Sequence, residues 1–565
     1  MDLVLVGLPG SGKTSVGRRL AARHGARFID LDATIEEASG QTISQLFEAE
    51  GEAGFRSRER AAVAGLGQAD RAPELRRVIA TGGGTVVDPA NRWALYRGRR
   101  AVWLNGPPEV LAQRLRNSPN PRPLLQGRDP VGTIRELAAG RERFYSPALR
   151  LNGLSQVGTV LDRLDDFLRS PGPQGSLLLA ADTALGRIRI GESFATDALL
   201  ATLAELGAGR AIFISEPGAW AAAGAALAAA IEAGGVPIER ILLPAGEAAK
   251  RLAVIETAAG ELARLHVERS EPLIAVGGGA LGDAAGFLAA TWLRGVPLVH
   301  VPTTLVAQID SSIGGKTAVD LAEGKNLVGA FHQPAAVLID VALVAGLPER
   351  QRRSALGEAV KMAALGDEAL FALLEHDGPG IVRGDPAVLA HGAVAELVER
   401  CVWAKVEVVL ADEREAGGRP NAAADPVTAA RIEAGRLALN LGHSLGHGFE
   451  AAAGYSDALL HGEAVAYGLR AACRIGTAVG VTPADRADRI EQLLTALDLA
   501  PAGGLHDLGL DRGAVLRALT SDKKHSAGQL RWVLPTADFV AIHRDVPAAL
   551  VERVMDELLQ SGPRP

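Results

Sequence analysis

The junction Asp2-Leu-Val-Leu-Val6 / Gly7-Leu-Pro-Gly10-Ser11-Gly12-Lys13-Thr14 / SVGRRLAARHG constrains this chain's fold more than any other stretch. A G-x-x-x-x-G-K-T loop works only between a buried strand and the start of a helix, so it predicts a parallel α/β sheet at the N-terminal end. Backbone amides of the turn and of the helix N-terminus cradle a phosphate. Lys13 then reaches the β/γ oxygens, and the Thr14 hydroxyl ligates Mg2+. Nucleotide binding is the expectation for this segment.

At 565 residues the chain is too long for one core and predicts several domains. The overall charge of −7 hides an asymmetry: residues 1–170 carry 25 Lys+Arg against 19 Asp+Glu (+6), which leaves 34 against 47 (−13) for the rest. A positive first part suits a small polyanion, and arginines spread without basic runs argue against nucleic acid. With no apolar run of about eighteen residues, neither a membrane span nor a signal peptide is expected. Two cysteines, Cys401 and Cys473, provide no disulfide framework, which fits a cytoplasmic location. Arginine supplies generic charge almost everywhere, so the eight lysines (Lys13, Lys250, Lys316, Lys325, Lys361, Lys405, Lys523 and Lys524) are candidates for sites needing a compact ammonium, although random choice explains any single one equally well.

After the phosphate loop, Phe28-Ile-Asp30-Leu-Asp32 reads as a strand ending in two carboxylates at i and i+2 that share one side. One would support Mg2+, and the other would meet an acceptor hydroxyl. Gly51-Glu52-x-x-Phe55-Arg56-x-x-Glu59, Thr81-Gly82-Gly83-Gly84, Arg122-Pro-Leu-Leu and Arg141-x-x-x-Tyr145 follow. Converging arginines suggest an acceptor with its own carboxylate, although a lone arginine is more often solvated. In this order the motifs resemble shikimate kinase over residues 1–168. The resemblance implies that Gly10, Ser11, Gly12, Lys13, Thr14, Ser15 and Arg114 meet ATP and Mg2+. It also implies that Asp32, Arg56, Gly82, Gly83 and Arg141 hold shikimate, with Asp32 near the attacked hydroxyl and Arg122 on a lid that excludes water.

SPGPQGS at 170–176 has the composition of a linker and separates an expected domain at 1–169 from the remainder. Alternating apolar and helical stretches through 347 indicate a second α/β domain, with a parallel sheet, at 177–347. GGGALGD, ending at Asp283, is either a dinucleotide loop or a tight structural turn. Thr303 and Thr304 close another strand, and Glu247 with Lys250 are placed to meet ribose and phosphate. The small polar residues from Asp310 to Asp320, with Lys325-Asn326, suggest a loop for an anionic substrate. From Pro348 onward, 348–565 reads as almost wholly helical.

Within that helical part, Arg436 to Glu463 holds His443, His447 and His461 in nineteen residues of a chain with twelve histidines. His443 and His447 are an i, i+4 pair sharing one face of a helix, to which His461 can return on the next. Two imidazoles and a carboxylate make a zinc site with an open fourth position. Glu358, on the apolar helix LGEAVK, is either that carboxylate or a solvated residue.

GEAxK, GGGxxGD, PTT, DSSIGGKTAVD, KNLVGAF, LNLGHSxGH, HGEAV and DKK together resemble 3-dehydroquinate synthase over about residues 177–560. The family likeness implies a Rossmann-like NAD-binding domain followed by a helical metal domain. Glu358, His443 and His461 would ligate Zn2+ (or Co2+). Glu247, Lys250, Gly278, Gly279, Asp283, Thr303, Thr304 and Lys325 would hold NAD. Asp310, Lys316, Asn326, Lys361, Lys405, Asn440, His447 and Lys523 or Lys524 would line the pocket for the heptulosonate phosphate. Arg294 would reach the neighbouring subunit, which implies a homodimer. Between Lys405 and His443 the chain is longer than the family pattern. The insertion around GGRPNAAADPVTAARIEAG leaves the pocket arginine as Arg419 or Arg436, and the four-residue step to Asn440 favours Arg436.

The expected whole is a fused kinase and synthase with shikimate, ATP and the heptulosonate phosphate as small-molecule partners. Three rivals remain at this point: another sugar-phosphate cyclase in the second part, a non-catalytic nucleotide-binding regulator in the first, or a glycerol-type zinc dehydrogenase.

Overall fold

The computed structural model describes residues 1–70, 72–116, 129–172, 175–415, 426–500, 503–521, 525–526 and 529–560. By internal contacts the chain divides into two compact units, Met1–Thr183 with Arg187–Ala201, and Ala184–Gly186 with Thr202–Pro565. The expected linker at 170–176 lies ahead of this contact boundary.

The first unit is built on β1 (Asp2–Val6), β2 (Arg27–Asp30), β3 (Arg77–Ala80), β4 (Arg100–Asn105) and β5 (Leu149–Asn152). They form a parallel sheet in the order β2-β3-β1-β4-β5. All five residues of β1 are buried, as a central strand covered on both faces requires. Leu3, Leu5, Val16, Leu20, Val102, Leu161 and Leu164 close a core between the sheet and the helices Lys13–His24 and Val157–Arg169. Strands β6 (Ser176–Thr183) and β7 (Gly186–Glu192) follow. β6 packs against the helices Pro89–Tyr96 and Pro130–Tyr145, which places it in the first unit.

One expectation is corrected in this unit. β2 ends at Asp30, and Asp32 lies in the first turn of the helix Leu31–Ser39, so the two carboxylates are not strand neighbours on one side. Asp30 caps that helix, its carboxylate accepting from the Ala33 amide, and so the strand ends two residues short of Asp32.

In the second unit, β8 (Ala211–Ser215), β9 (Ile238–Leu242), β10 (Leu273–Gly277) and β11 (Leu298–Pro302) are parallel strands. Residues expected to form a substrate loop instead form an antiparallel hairpin, β12 (Lys316–Leu321) and β13 (Gly324–Phe331), with a register shift between Val319 and Leu321. β14 (Ala336–Asp340) returns to the sheet, whose order here is β14-β11-β10-β8-β9. Thr317 and Val319 are buried at alternate positions, interleaved with Lys316 and Ala318, a strand period that the glycines on either side mask.

Among the described residues from Glu349 onward the elements are helical, with two short antiparallel pairs as exceptions: His525–Ser526 with Gln529–Leu530, and Trp532–Pro535 with Val540–His543. The helices Glu349–Ala364, His443–Ala452 and His461–Ala478 approach backbone to backbone. A Cβ at Gly462 would lie 1.7 Å from the Ser354 carbonyl oxygen, one at Gly357 2.2 Å from the Gly462 oxygen, and one at Gly468 1.6 Å from the Gly442 oxygen. Among the described residues no helix is long and apolar enough to cross a membrane.

Candidate active sites

The first unit's site gathers at the C-terminal ends of its central strands. Gly10 and Gly12 take φ of +80° and +96°, so the loop after β1 folds over the start of the helix Lys13–His24 without a Cβ penalty. Lys13 is buried and donates to the Gly7 and Leu8 carbonyls at 2.8 and 3.0 Å, which holds its ammonium inside the loop. The Thr14 hydroxyl donates to Asp30 Oδ2 at 2.8 Å, so Asp30 is the carboxylate at the proposed Mg2+ position. Ser15 is exposed on the helix, and Arg114 donates to the Gly10 carbonyl at 3.3 Å.

Asp32, Phe55, Arg56, Gly82, Gly83 and Arg141 line one cavity beside this loop. Arg56 is aimed by two carboxylates, Glu59 at 2.8 Å and Glu52 at 3.1 Å. Glu59 is 1% exposed and also accepts from the Thr85 hydroxyl at 2.7 Å, so it is a fixed anchor. Arg141 donates to the Gly83 carbonyl at 2.8 Å, and the Tyr145 hydroxyl donates to the same oxygen. A Cβ at Gly82 would sit 2.7 Å from Asp32 Oδ1, and one at Gly84 2.9 Å from Arg56 Nη2, so the glycine run makes room for these side chains. Glu59 and Tyr145 were legible only as motif letters. Their work as supports needed the fold. Arg122 lies outside the described residues.

In the second unit, Glu358 and His461 face each other from two helices, with His461 Nε2 3.0 Å and His443 Nε2 3.4 Å from Glu358 Oε1. Glu358 is fully buried on the helix Glu349–Ala364, which removes the reading of it as a solvated residue. One donor atom from each of Glu358, His443 and His461 lies within 4.8 Å of the others. Two imidazole nitrogens and one carboxylate oxygen fit Zn2+ or Co2+. His443 Nδ1 donates to the Leu441 carbonyl at 3.0 Å, which turns Nε2 inward. Burial alone would raise the Glu358 carboxyl, but Lys361 at 2.5 Å and the nearby His443 hold it well below the usual carboxylate range. His447 shares the helix, with its ring centroid 5.1 Å from that of His443 and 6.0 Å from that of His461.

Around this triad Asp310 joins two buried lysines, at 2.6 Å to Lys405 and 3.8 Å to Lys361. Burial lowers both ammonium groups. Lys361 is nonetheless raised by Asp310 and Glu358, whereas Lys405 stays depressed because Asp310 does not offset its burial. Lys316 and Asn440 converge on Glu415, at 2.7 and 3.0 Å. Buried Arg436 donates to the Gly314 carbonyl at 2.8 Å. Arg419, Lys523 and Lys524 lie outside the described residues.

A third cluster stands at the end of β10, where the helix Gly279–Thr291 begins. A Cβ at Gly279 would lie 2.8 Å from Ser311 Oγ and one at Gly278 3.2 Å from Thr304 Cγ2, so backbone can come close to a pyrophosphate at a helix N-terminus. The Thr303 amide donates to the Gly277 carbonyl at 3.0 Å. Lys250 donates to Asp283 at 2.8 Å and to Asn326, while Lys325 donates to Glu247 at 2.6 Å and Glu450 at 3.0 Å. This donor set and glycine cradle fit a dinucleotide. Arg294 is exposed in a left-handed turn (φ +67°), and none of the contacts described here involves it. Sequence reasoning missed Glu415 and Glu450. Glu450 follows His447 by three and His443 by seven on one helix face, a spacing that could have marked it, whereas Glu415 carries no such local signal.

The family model described as shikimate kinase matches residues 9–152. Those for the N-terminal and C-terminal parts of 3-dehydroquinate synthase match residues 240–354 and 355–525. The chain is 39% identical over 340 residues to a 3-dehydroquinate synthase of Roseobacter denitrificans, covering 60% of this chain and 85% of that protein. It is 41% identical over 327 residues to one of Symbiobacterium thermophilum, covering 58% and 84%. A solved structure of ValA, a 2-epi-5-epi-valiolone synthase from Streptomyces hygroscopicus subsp. jinggangensis with NAD+ and Zn2+ bound, is similar at a TM-score of 0.57 and 26% identity, over 67% of this chain and 98% of that one.

Proposed function

The chain belongs to the 3-dehydroquinate synthase family and carries a shikimate kinase domain ahead of it, and from that premise we propose how its residues divide two reactions. The first is ATP- and Mg2+-dependent phosphorylation of shikimate to shikimate 3-phosphate. The second is the NAD- and metal-dependent cyclisation of 3-deoxy-D-arabino-heptulosonate 7-phosphate to 3-dehydroquinate with loss of phosphate. The observation that carries the second reading is the convergence of Glu358, His443 and His461 beside the Lys405–Asp310–Lys361 chain.

In the kinase part, Lys13 and the loop amides neutralise the transferring phosphoryl group, Thr14 and Asp30 hold Mg2+, and Arg56 and Arg141 fix shikimate so that its hydroxyl meets Asp32. Because Glu59 and Glu52 aim the guanidinium fork of Arg56 at a carboxylate, Arg56→Lys should raise KM for shikimate about tenfold or more, an ammonium being unable to make the bidentate pair. Steady-state kinetics with varied shikimate checks this, and an unchanged KM would remove Arg56 from the acceptor site.

In the synthase part, a divalent cation held by Glu358, His443 and His461 would supply a Lewis acid, and a dinucleotide held at the Gly278-Gly279 turn would supply a reversible hydride acceptor with no net redox change. Lys316, Lys361, Lys405 and Arg436 offset the substrate's carboxylate and phosphate. His447, Asn326 and Asn440 orient it, and one of Lys523 and Lys524 completes the anion pocket. Lys250, Asp283, Glu247, Lys325 and the Gly278-Gly279 turn hold the dinucleotide. Exposed Arg294 supports a homodimer in which it reaches the partner's phosphate, and the two buried free cysteines support a cytoplasmic location.

Given the heptulosonate phosphate, the purified chain should release phosphate without accumulating NADH, and given shikimate and ATP it should release ADP. Sedoheptulose 7-phosphate should not turn over. Turnover of that sugar alone would make the second part a valiolone-type cyclase, and ATP binding without shikimate-dependent ADP release would make the first part a regulator. Identities of 39–41% to dehydroquinate synthases against 26% to ValA favour the dehydroquinate product.

A further inference from the structure

Glu450 is a buried carboxylate, its side chain 8% exposed, on the same helix as His443 and His447 and seven residues after His443. Each of its oxygens has a separate task. Oε2 lies 3.2 Å from His461 Nδ1, and Oε1 accepts from Lys325 Nζ at 3.0 Å. On the far side, His461 Nε2 faces Glu358 Oε1 at 3.0 Å, and Lys325 Nζ also donates to Glu247 Oε1 at 2.6 Å. A continuous chain of charge-assisted contacts thus runs Glu358, His461, Glu450, Lys325, Glu247, from the metal triad to the dinucleotide cluster.

Resting on the assignment of those two clusters, we propose that Glu450 is a positioning residue that fixes His461 for the metal and couples metal occupancy to NAD occupancy through Lys325. A carboxylate on Nδ1 keeps the proton there and leaves the Nε2 lone pair for the cation. It also fixes the ring plane and raises the ligand's basicity. The same carboxylate holds Lys325 beside Glu247, so a cation that locks His461 also locks one wall of the nucleotide pocket. By linkage, whatever zinc does for NAD affinity NAD does for zinc. Glu450, His447 and His461 also bring donor atoms within 4.8 Å of one another.

The test measures Zn2+ affinity of the full chain by chelator competition, with and without NAD, and the visible spectrum of the Co2+ form. Wild type should bind zinc about fivefold or more tighter with NAD present, the low end of typical coupling. Glu450→Gln should lose about tenfold or more in zinc affinity, shift the Co2+ d–d bands and abolish the NAD effect. Lys325→Met should keep zinc affinity without NAD within about twofold yet lose the coupling even at NAD concentrations shown by direct titration to saturate the variant, a split that neither a structural role nor weaker NAD binding would produce. Glu450→Ala, with far-ultraviolet circular dichroism as a control for folding, repeats the measurement without the amide oxygen. Wild-type zinc affinity in both Glu450 variants would overturn the inference. Metal loss as complete as in His443→Ala would overturn it by making Glu450 a ligand. Full zinc affinity in His443→Ala would instead sink the metal triad itself.

Discussion

Glu358→Gln should leave the chain folded and the kinase working while synthase turnover falls about a thousandfold or more. The substitution keeps the side chain's shape and removes its charge. Glu358 is fully buried and held ionised by Lys361 at 2.5 Å, so at neutral pH it is the anionic donor that faces both His443 and His461. A neutral amide is a poor partner for a dication, and a bound cation that polarises a substrate oxygen is worth several kcal/mol. About 4 kcal/mol at 1.36 kcal/mol per decade is the thousandfold loss. Lys361 keeps Asp310 at 3.8 Å as a counter-charge, which limits the cost of breaking a buried pair. Metal content by elemental analysis and phosphate release from the heptulosonate phosphate check the outcome, with shikimate-dependent ADP release as the internal control. Stoichiometric metal together with a wild-type synthase rate would refute the assignment of Glu358.

Gly462→Ala should lower the melting temperature of the synthase part by about 5 °C or more and weaken its hold on metal. The new methyl would stand 1.7 Å from the Ser354 carbonyl oxygen, a backbone atom that no rotamer change can move. The helices Glu349–Ala364 and His461–Ala478 would have to part, and these helices carry Glu358 and His461. Overpacking costs about 1–3 kcal/mol and more where backbone is the obstacle, and about 2–4 °C accompanies each kcal/mol in a domain of a few hundred residues. The salt bridge that ties the two helices, Arg350 to buried Glu463 at 2.8 Å, pins the same helix start and would be strained by the same displacement. Calorimetry and zinc competition on the variant measure both effects. A melting temperature within about 1 °C of wild type would show that the close approach does not set the ligand geometry.

Much of each site could be read from local spacing. The phosphate loop was legible because a glycine turn with Lys13 and Thr14 has one productive setting, between a buried strand and a helix start. His443 and His461 stood out because the histidine spacing fits consecutive helix faces, whereas GGGALGD by itself left a dinucleotide loop and a tight structural turn both open. Misreadings came where two local signals competed. Asp30 was read as the strand partner of Asp32, but a carboxylate that can cap a helix ends the strand. The residues from Asp310 to Asp320, with Lys325-Asn326, were read as a loop because Ser311, Ser312, Gly314 and Gly315 mask the strand period that begins at Lys316 and that pairing across the hairpin reveals.

By itself the sequence determined the order of the two enzymes, the chemistry each can carry, and which side chains are candidates, because catalytic loops and ligand pairs are encoded by short spacings. Only the tertiary structure decided the partners of those side chains. Glu415 between Lys316 and Asn440, Glu59 accepting from Thr85, and Glu450 bridging His461 and Lys325 include contacts between residues as far as 125 positions apart. A buried charge must find a counter-charge wherever the packing of helices and sheet brings one within about 3 Å, and that meeting has no period along the chain.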